Sequence, residues 1–248
     1  MSETEARRRA VDRYGFLNDA QSRRARGQRI ARALAEFGAV DLPTANVLDV
    51  GCSAGLIADE IAEMARCVIG IDADIESIAN AVRRAGRPYF VVASGESLPF
   101  RDESFDAVIC NHVYEHVDDA TRLVAEIYRV LRRRGACYFA GGHTLQLIEP
   151  HYRLPLLSWL PRPLASRWLR FLRRGEAYTE KFVPPWRFRA LLARFPDARF
   201  ISTEMLREPC RYEFDNFARW PASLRRAVLA AGVLPRLAPT WIYMLRKE

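Results

Sequence analysis

The residues whose types and spacing could do chemistry begin with a glycine turn and two acids. Gly51 and Gly55 follow the apolar run 47–50, which contains Asp49. Glycines at such a turn let the backbone approach a ligand closely. Asp72 ends the next apolar run, 23 residues after Asp49, and an acid at that place accepts hydrogen bonds from two ribose hydroxyls. The pattern indicates a site for a nucleoside-containing cofactor.

A second group with possible chemistry is the H-x-x-E-H spacing formed by His112, Glu115 and His116. On a long helix this spacing is a zinc-protease motif. Here it directly follows an apolar run that we interpret as a core strand, so it begins a loop. We therefore do not expect proteolysis.

Alternating strands and helices must position these residues. Five apolar runs predict strands, at residues 47–50, 67–71, 89–93, 106–111 and 136–140. Continuous apolar strands joined by helices indicate a parallel sheet that is covered on both faces. The helix before the fifth strand is predicted to start at a cap on Asp118 or Asp119 and to stop at Gly135. Two later strands are predicted, at residues 199–206 and 240–245.

The segment 143–198 breaks this alternation and is predicted to be a lid. Within residues 151–175 there are six arginines and no acid, and Trp159, Trp168 and several leucines are interleaved with them. One interpretation is that the apolar side chains pack the lid on the sheet while the arginines face water. The other is that a basic amphipathic segment contacts a membrane surface or an anionic, lipid-linked acceptor.

Composition narrows the class of protein. The chain has 248 residues, of which 50% are hydrophobic and 27% charged, and this balance is that of a folded domain rather than a disordered chain. The net charge is +8, and 36 of the 38 basic residues are arginine, a bias that indicates a GC-rich bacterial genome. The five cysteines form no C-x-x-C pair, and no apolar run is long enough to span a bilayer. We expect a reduced, cytoplasmic protein, peripheral to the inner membrane face if the lid touches lipid.

Four segments resemble, in order and spacing, motifs of class I S-adenosylmethionine-dependent methyltransferases that act on small molecules. They are residues 47–55, 93–100, 104–108 and 114–117. The resemblance implies an α/β fold with a Rossmann-like, doubly wound sheet of seven mostly parallel strands, in which the antiparallel last strand inserts between strands five and six. The predicted parts are an N-terminal helical segment (1–45), a cofactor-binding core (46–142), the lid (143–198) and the last two strands (199–248).

The resemblance assigns contacts with S-adenosylmethionine to ten residues at the ends of the first four strands. They are Asp49, Gly51, Cys52, Ser53, Gly55 and Asn111 for the methionine part, Asp72 for the ribose, and Ala73, Ser94 and Gly95 for the adenine. Ser53 and Ser94 depart from the family, which has a glycine and an acid at these places.

The implied reaction is a displacement at the methyl carbon of a sulfonium, for which the protein aligns the nucleophile. A hydroxyl nucleophile also needs a base, which contributes about 10²–10⁴-fold. The candidates are His112, His116, His143 and His151. We prefer His143, because a residue just past the fifth strand faces the cofactor. For each histidine the alternative is an ordinary polar loop residue.

The acceptor is expected to be a small molecule with a hydroxyl group, such as a glycan, a lipid-linked compound or a natural product, while C- and N-methylation stay open. Some quinone-pathway relatives hold a metal with an acid at the place of His112, so we expect no metal here. Nucleic-acid methylation is disfavoured, because the Pro184-Pro185-Trp186 run does not follow strand four. A cofactor-binding protein that has lost catalysis is the remaining alternative, and the sequence does not indicate an oligomeric state.

Overall fold

The computed structural model describes residues 20–84, 86–149, 152, 154–212, 214–230, 232, 238 and 240–248. Residues 1–19, Arg153 and the candidate base His151 therefore lie outside the described residues. Within the described part the strands are β1 (Asn46–Val50), β2 (Cys67–Asp72), β3 (Tyr89–Val92), β4 (Phe105–Asn111), β5 (Leu131–Gly141), β6 (Ile148–Glu149), β7 (Leu154–Pro155), β8 (Asp197–Phe200) and β9 (Trp241–Arg246).

Helices alternate with the strands in the first half of the chain and cluster in the second half. They are α1 (Ala20–Glu36), α2 (Leu56–Ala62), α3 (Ile75–Arg83), α4 (Ala120–Val130), α5 (Arg162–Phe171), α6 (Pro185–Leu191), α7 (Ser202–Arg207), α8 (Asp215–Ala218) and α9 (Ala222–Ala230). None of these described helices is long and apolar enough to cross a bilayer.

Seven strands form one sheet in the order β3-β2-β1-β4-β5-β9-β8. The first five are parallel, and β9 is antiparallel to both of its neighbours, β5 and β8. The predicted seven-stranded sheet with an inserted antiparallel last strand is confirmed. Because the strand order reverses between β1 and β4, a crevice for ligands is expected outside the carboxyl ends of these two strands.

Helices cover both faces of the sheet, as the apolar strands require. On one face α1 and α2 contribute Ile30, Leu34, Ile57 and Ile61, all buried. On the other face α4 and α6 contribute Leu123, Ile127 and Phe188, which are fully buried. These two layers fix the carboxyl ends of β1 and β4 in place.

Two predicted boundaries are wrong. Helix α4 begins at the expected Asp119 cap but ends at Val130, and β5 already starts at Leu131, which pairs with Phe105. The apolar spacing of four residues continues through Leu131 and favours a helix, but pairing with β4 prevails there. The strand predicted at 199–206 ends at Phe200, because residues 202–207 form α7.

The predicted lid contains the β6–β7 hairpin, α5 and α6. It has a small apolar core of its own, made of Tyr152, Leu154, Leu157, Ala165, Leu169 and Tyr178. Helix α5 turns Ala165 and Leu169 to this core. Its opposite face carries exposed Leu164, Trp168 and Phe171.

Candidate active site

The glycine turn after β1 lies where the strand order reverses. Gly51 and Gly55 have left-handed φ angles of 70° and 78°, and Ser53 between them has a φ of 51°. Glycine adopts such angles without strain. A Cβ built on Gly51 would lie 2.6 Å from Cγ2 of Val113, in the loop after β4. The turn and this loop are therefore in direct contact.

Asp72 ties the glycine turn to the end of β2. Its Oδ2 accepts a hydrogen bond from the Ser53 N–H at 2.9 Å, and its Oδ1 accepts one from the Asp74 N–H at 2.9 Å. Burial raises the pKa of the Asp72 carboxyl, and these backbone bonds oppose the rise. Each carboxylate oxygen has two lone pairs, so Asp72 can accept two more hydrogen bonds, as a ribose diol requires.

Asp49 is a buried acid beside the turn. It is 2% exposed, and its Oδ2 has no hydrogen-bond partner within the described part of the chain. Burial raises the pKa of Asp49 to about 7, Arg23 of α1 opposes this rise, and Asp72 adds to it. An ammonium group would give the orphaned oxygen both a donor and an opposite charge.

Three partly buried arginines lie on α1, and the charge of one of them, Arg23, acts on Asp49. Sequence analysis did not single them out. Arg23, Arg26 and Arg29 are three residues apart and share one helix face. Burial, together with repulsion from Arg23 and Arg29, lowers the pKa of Arg26 to about 10. Arg29 donates to the Tyr212 carbonyl at 2.6 Å. This positive face, which approaches Asp49 through Arg23, suits the carboxylate of a methionine part. The regular spacing of three residues between these arginines was the sequence signal that could have indicated this face.

The residues predicted for the adenine lie together at the ends of β2 and β3. The Ala93 N–H donates to the Asp72 carbonyl at 3.0 Å, which places Ser94 and Gly95 beside the end of β2. Ala73 and Ser94 are exposed, and Gly95 is half-buried. The structure thus brings these three predicted residues to one open edge.

Cys52 and Asn111 flank the crevice in different ways. Cys52 is buried, and its Sγ lies 2.9 Å from the position of a Cβ on Gly70, so the thiol packs under the sheet. Burial raises the pKa of this thiol well above its ordinary value. Cys52 would therefore serve the site as packing. Asn111 is half-buried at the end of β4.

His143 is fully buried and both of its ring nitrogens are engaged. Nε2 lies 2.8 Å from the Ala238 carbonyl oxygen, and Nδ1 accepts from the Leu145 N–H at 3.2 Å. The ring packs on Trp241, with 4.3 Å between centroids. Burial lowers the pKa of His143. This placement does not favour His143 as the base, because both ring nitrogens contact backbone atoms of the chain.

His112 forms a pair with the fully buried Glu115. Its Nδ1 lies 2.9 Å from Glu115 Oε1, and its Nε2 lies 3.1 Å from the Thr240 hydroxyl. Burial opposes the charge of Glu115, but the hydrogen bond from His112 and the charges of His112 and His116 hold the pKa of Glu115 below its ordinary value. His112 is therefore held at both nitrogens.

His116 forms a second pair, with Glu180 of the lid. Its Nδ1 lies 3.2 Å from Glu180 Oε2, the His116 side chain is 41% exposed, and the Glu180 side chain is 7% exposed. When Nδ1 donates to a carboxylate, Nε2 is the nitrogen that can accept a proton. The Lys181 N–H also donates to the Glu115 carbonyl at 3.1 Å. The lid is thus docked on the loop after β4.

Comparison with known proteins identifies the core of this site. Residues 48–139 match the family described as Methyltransferase domain. This part of the chain is similar to methyltransferase domains. Its fold is that of the class I S-adenosylmethionine-dependent methyltransferases, and the match covers the strands from β1 to β5 that carry the glycine turn, Asp72 and the loop after β4.

Relatives extend the likeness beyond the domain. The ubiquinone biosynthesis O-methyltransferase of Pseudomonas entomophila (strain L48) is 29% identical over 154 residues, which are 59% of this chain and 61% of that protein. The match thus covers about three-fifths of that relative's length. The protein of the same name from Xanthomonas oryzae pv. oryzae (strain PXO99A) is 29% identical over 201 residues, 79% of each chain. The YcgJ protein of Bacillus subtilis shares the fold, with a TM-score of 0.52, 17% identity and coverage of 88% of this chain and 98% of that chain.

The residues of the methyltransferase domain fit S-adenosylmethionine. The orphaned Oδ2 of Asp49 and the positive face of α1 match the ammonium and carboxylate of the methionine part. Asp72 has the acceptor capacity that the ribose needs, and Ala73 and Ser94 border an open edge for the adenine.

The H-x-x-E-H spacing lies in the turn between β4 and α4 rather than on a helix. Across the residues that the structure describes, no group of three His, Cys, Asp or Glu side chains is arranged to hold a metal ion. Turnover without a metal stays a prediction.

Proposed function

We propose that the protein transfers the methyl group of S-adenosylmethionine to a hydroxyl group of a small-molecule acceptor, with His116 as the base. The observation that carries this proposal is the His116–Glu180 pair, which spans 3.2 Å between the loop after β4 and the lid. That loop packs on the glycine turn through Val113. The names of the two ubiquinone-pathway relatives support transfer to oxygen.

In this mechanism the chain binds and orients the cofactor and the acceptor, and it removes one proton from the acceptor. When bound, S-adenosylmethionine supplies an activated methyl group on a positively charged sulfur. Asp49 would hold its methionine part and Asp72 its ribose, and the lid segment around Glu180 packs on the loop after β4. Glu180 orients the His116 ring through Nδ1, and Nε2 of His116 accepts the proton of the acceptor hydroxyl.

A glycan, a lipid-linked compound or a natural product remains the proposed acceptor class. The run Pro184-Pro185-Trp186 opens α6 in the lid and does not follow β4 along the chain, so it gives nucleic-acid methylation no support.

The proposal is tested by incubating the full chain with S-adenosylmethionine and measuring S-adenosylhomocysteine by mass spectrometry. We expect release with phenols, sugar glycosides or lipid-linked sugars that have free hydroxyls, and none with the O-methylated forms of the same compounds. Activity should survive dialysis against EDTA. Cofactor binding without release from any hydroxylated compound would point to a non-catalytic protein, and magnesium-restored activity after EDTA would disprove metal independence.

We propose in addition that the outer face of α5 contacts an anionic membrane surface. Leu164, Trp168 and Phe171 are 48%, 46% and 77% exposed and are spaced by four and three residues. The Trp168 and Phe171 rings stack at 5.9 Å between centroids. Exposed Arg167 and Arg170 lie on the same helix. Large apolar side chains flanked by arginine are typical of helices that lie in a membrane interface.

Changing Arg167, Arg170 and Arg173 together to glutamine should weaken binding to phosphatidylglycerol vesicles by about 100-fold, because each arginine near an anionic surface contributes about 1 kcal/mol. Vesicle co-sedimentation measures this. The matched control changes exposed Arg83, Arg101 and Arg133 to glutamine, and it should have a much smaller effect. Equal losses for both triple variants would mean that only net charge matters, and binding by neither wild type nor variant would show that the face is merely solvated. Cofactor affinity should stay constant throughout.

A further inference from the structure

Several buried polar groups where the lid meets the sheet have unmet hydrogen-bonding capacity. Glu115 and Gln146 are 0% exposed and Tyr178 is 6% exposed. Among the described residues, Glu115 Oε2, the Tyr178 hydroxyl and both side-chain polar atoms of Gln146 find no hydrogen-bond partner. Buried polar groups in folded proteins are nearly always paired. Their concentration around the lid indicates that a partner enters from outside the chain.

One ion pair and electrostatic interactions connect five residues that we name the lid cluster, which are Glu115, His116, Glu149, Tyr178 and Glu180. Glu180 Oε2 faces His116 Nδ1 at 3.2 Å, and the charge of His116 acts on Glu115. Burial raises the pKa of the Tyr178 hydroxyl, and the negative charges of Glu149 and Glu180 raise it further. The lid cluster therefore continues from the proposed base into the lid.

Two basic residues near the lid cluster donate to backbone carbonyls and to Asp118. Arg162, which also acts on Tyr178, donates to the carbonyls of Thr179 and Glu180. Lys181 Nζ donates to the Val117 carbonyl at 2.9 Å and to Asp118 at 2.7 Å. Exposed Arg167 and Arg170 lie on the part of α5 that is turned to solvent.

The lid cluster also lies close to the cofactor turn. Val113, which contacts Gly51, is two residues before Glu115 in the same loop. A Cβ built on Gly141, at the end of β5, would lie 3.3 Å from Glu115 Oε2. Glu115 thus stands at the carboxyl end of the sheet, on the edge that carries the glycine turn.

The chemistry of the orphaned groups selects the ligand. Glu115 Oε2 requires a donor, Gln146 requires both a donor and an acceptor, and the Tyr178 hydroxyl can use either. An ammonium group only donates and a carboxylate or phosphate only accepts, whereas a hydroxyl does both.

We propose that the lid cluster and Gln146 bind the head group of the acceptor and that this head group is a neutral polyol such as a sugar ring. The proposal rests on the methyl transfer proposed above. It differs from the expectation that the arginines of the lid select an anionic acceptor, and exposed Arg167 and Arg170 are instead assigned to the membrane contact proposed above.

The experiment compares three glycosides that share one ring, with the full chain saturated with S-adenosylhomocysteine. Methyl glucoside is neutral, methyl glucuronide is anionic and methyl glucosaminide is cationic. Binding is measured by saturation-transfer NMR, and we expect methyl glucoside to bind best. Tyr178→Phe should weaken methyl glucoside binding about threefold to tenfold, because one neutral hydrogen bond is lost. Glu149→Gln should reduce the difference in binding affinity between methyl glucuronide and methyl glucoside.

Tyr152→Phe is the matched control for Tyr178→Phe. The Tyr152 hydroxyl already donates to the Ala177 carbonyl at 3.3 Å, and its ring lies 5.9 Å from that of Tyr178. Tyr152→Phe should leave sugar binding unchanged, with thermal unfolding of both variants measured in parallel.

The proposal would be overturned if methyl glucuronide or methyl glucosaminide bound more tightly than methyl glucoside. It would also be overturned if wild type and Tyr178→Phe had equal affinity for methyl glucoside, since water would then satisfy the buried polar groups. Release of S-adenosylhomocysteine is assayed separately. Sugar binding without release of S-adenosylhomocysteine would support the polyol site and disprove methyl transfer. Release of S-adenosylhomocysteine with other acceptors, without sugar binding, would support methyl transfer and disprove the polyol site.

Discussion

Replacing Asp72 with alanine is expected to weaken the binding of S-adenosylmethionine by about 100-fold or more. Two charge-assisted hydrogen bonds to the ribose would be lost, each contributing about 1.5–3 kcal/mol. The variant would also release the Ser53 N–H and the Asp74 N–H, which Asp72 now holds at 2.9 Å each. The glycine turn would then lose one of its connections to β2 and keep the hydrogen bond from the Cys52 N–H to the Ile71 carbonyl. Titration calorimetry with S-adenosylmethionine and with S-adenosylhomocysteine measures the effect.

Asp74→Ala is the matched control, because Asp74 is an acid two residues further along the same turn. Asp74 caps α3, where its carboxylate accepts from the Glu76 N–H at 3.3 Å and from the Ser77 hydroxyl at 2.9 Å. Loss of this cap should lower the free energy of unfolding by about 1 kcal/mol and leave cofactor affinity unchanged. An unchanged affinity in Asp72→Ala would show that Asp72 does not bind the ribose, and equal losses in both variants would trace the effect to the turn.

The sheet was predictable from sequence because buried parallel strands are continuous apolar runs that end at polar residues. β1, β2 and β4 each end where a cofactor residue was predicted, and Asp119 caps α4 as its residue type indicates. The start of β5 was not predictable, since Leu131 extends the apolar period of α4 and only its pairing with Phe105 makes it a strand. Local patterns therefore determined the elements, and long-range pairing decided this boundary.

The placement of the predicted cofactor residues at one edge of the sheet was predictable for the same reason, because a strand and the turn after it are local in sequence. The contacts of the candidate bases were not. His116 is paired with Glu180, 64 residues away, and the sequence carries no signal of that pairing. His143 does follow β5 as expected, but Trp241, almost a hundred residues later, covers its ring. Position after a strand places a residue at the crevice, whereas distant neighbours decide which way its side chain points.

His116→Gln is expected to lower kcat by about 10²–10⁴-fold, because glutamine cannot accept the proton of the acceptor hydroxyl. Glutamine keeps a polar side chain beside Glu180, so the lid should stay docked and cofactor affinity should not change. The residual rate should rise with pH, as hydroxide replaces the missing base. The assay is S-adenosylhomocysteine release at several pH values with an acceptor that the wild type methylates.

Glu180→Gln and His143→Gln separate positioning and structure from proton transfer. Glu180→Gln keeps the imidazole but removes the carboxylate that orients it, so kcat should fall less than in His116→Gln, with little change in KM. His143→Gln removes a ring packed on Trp241, so thermal stability should fall while kcat per folded molecule is retained. If His143→Gln instead abolishes turnover in a folded protein and His116→Gln does not, the base is His143, and the contacts that now hold both of its nitrogens must open during the reaction. The position of the residue along the chain, rather than its present contacts, would then have identified it.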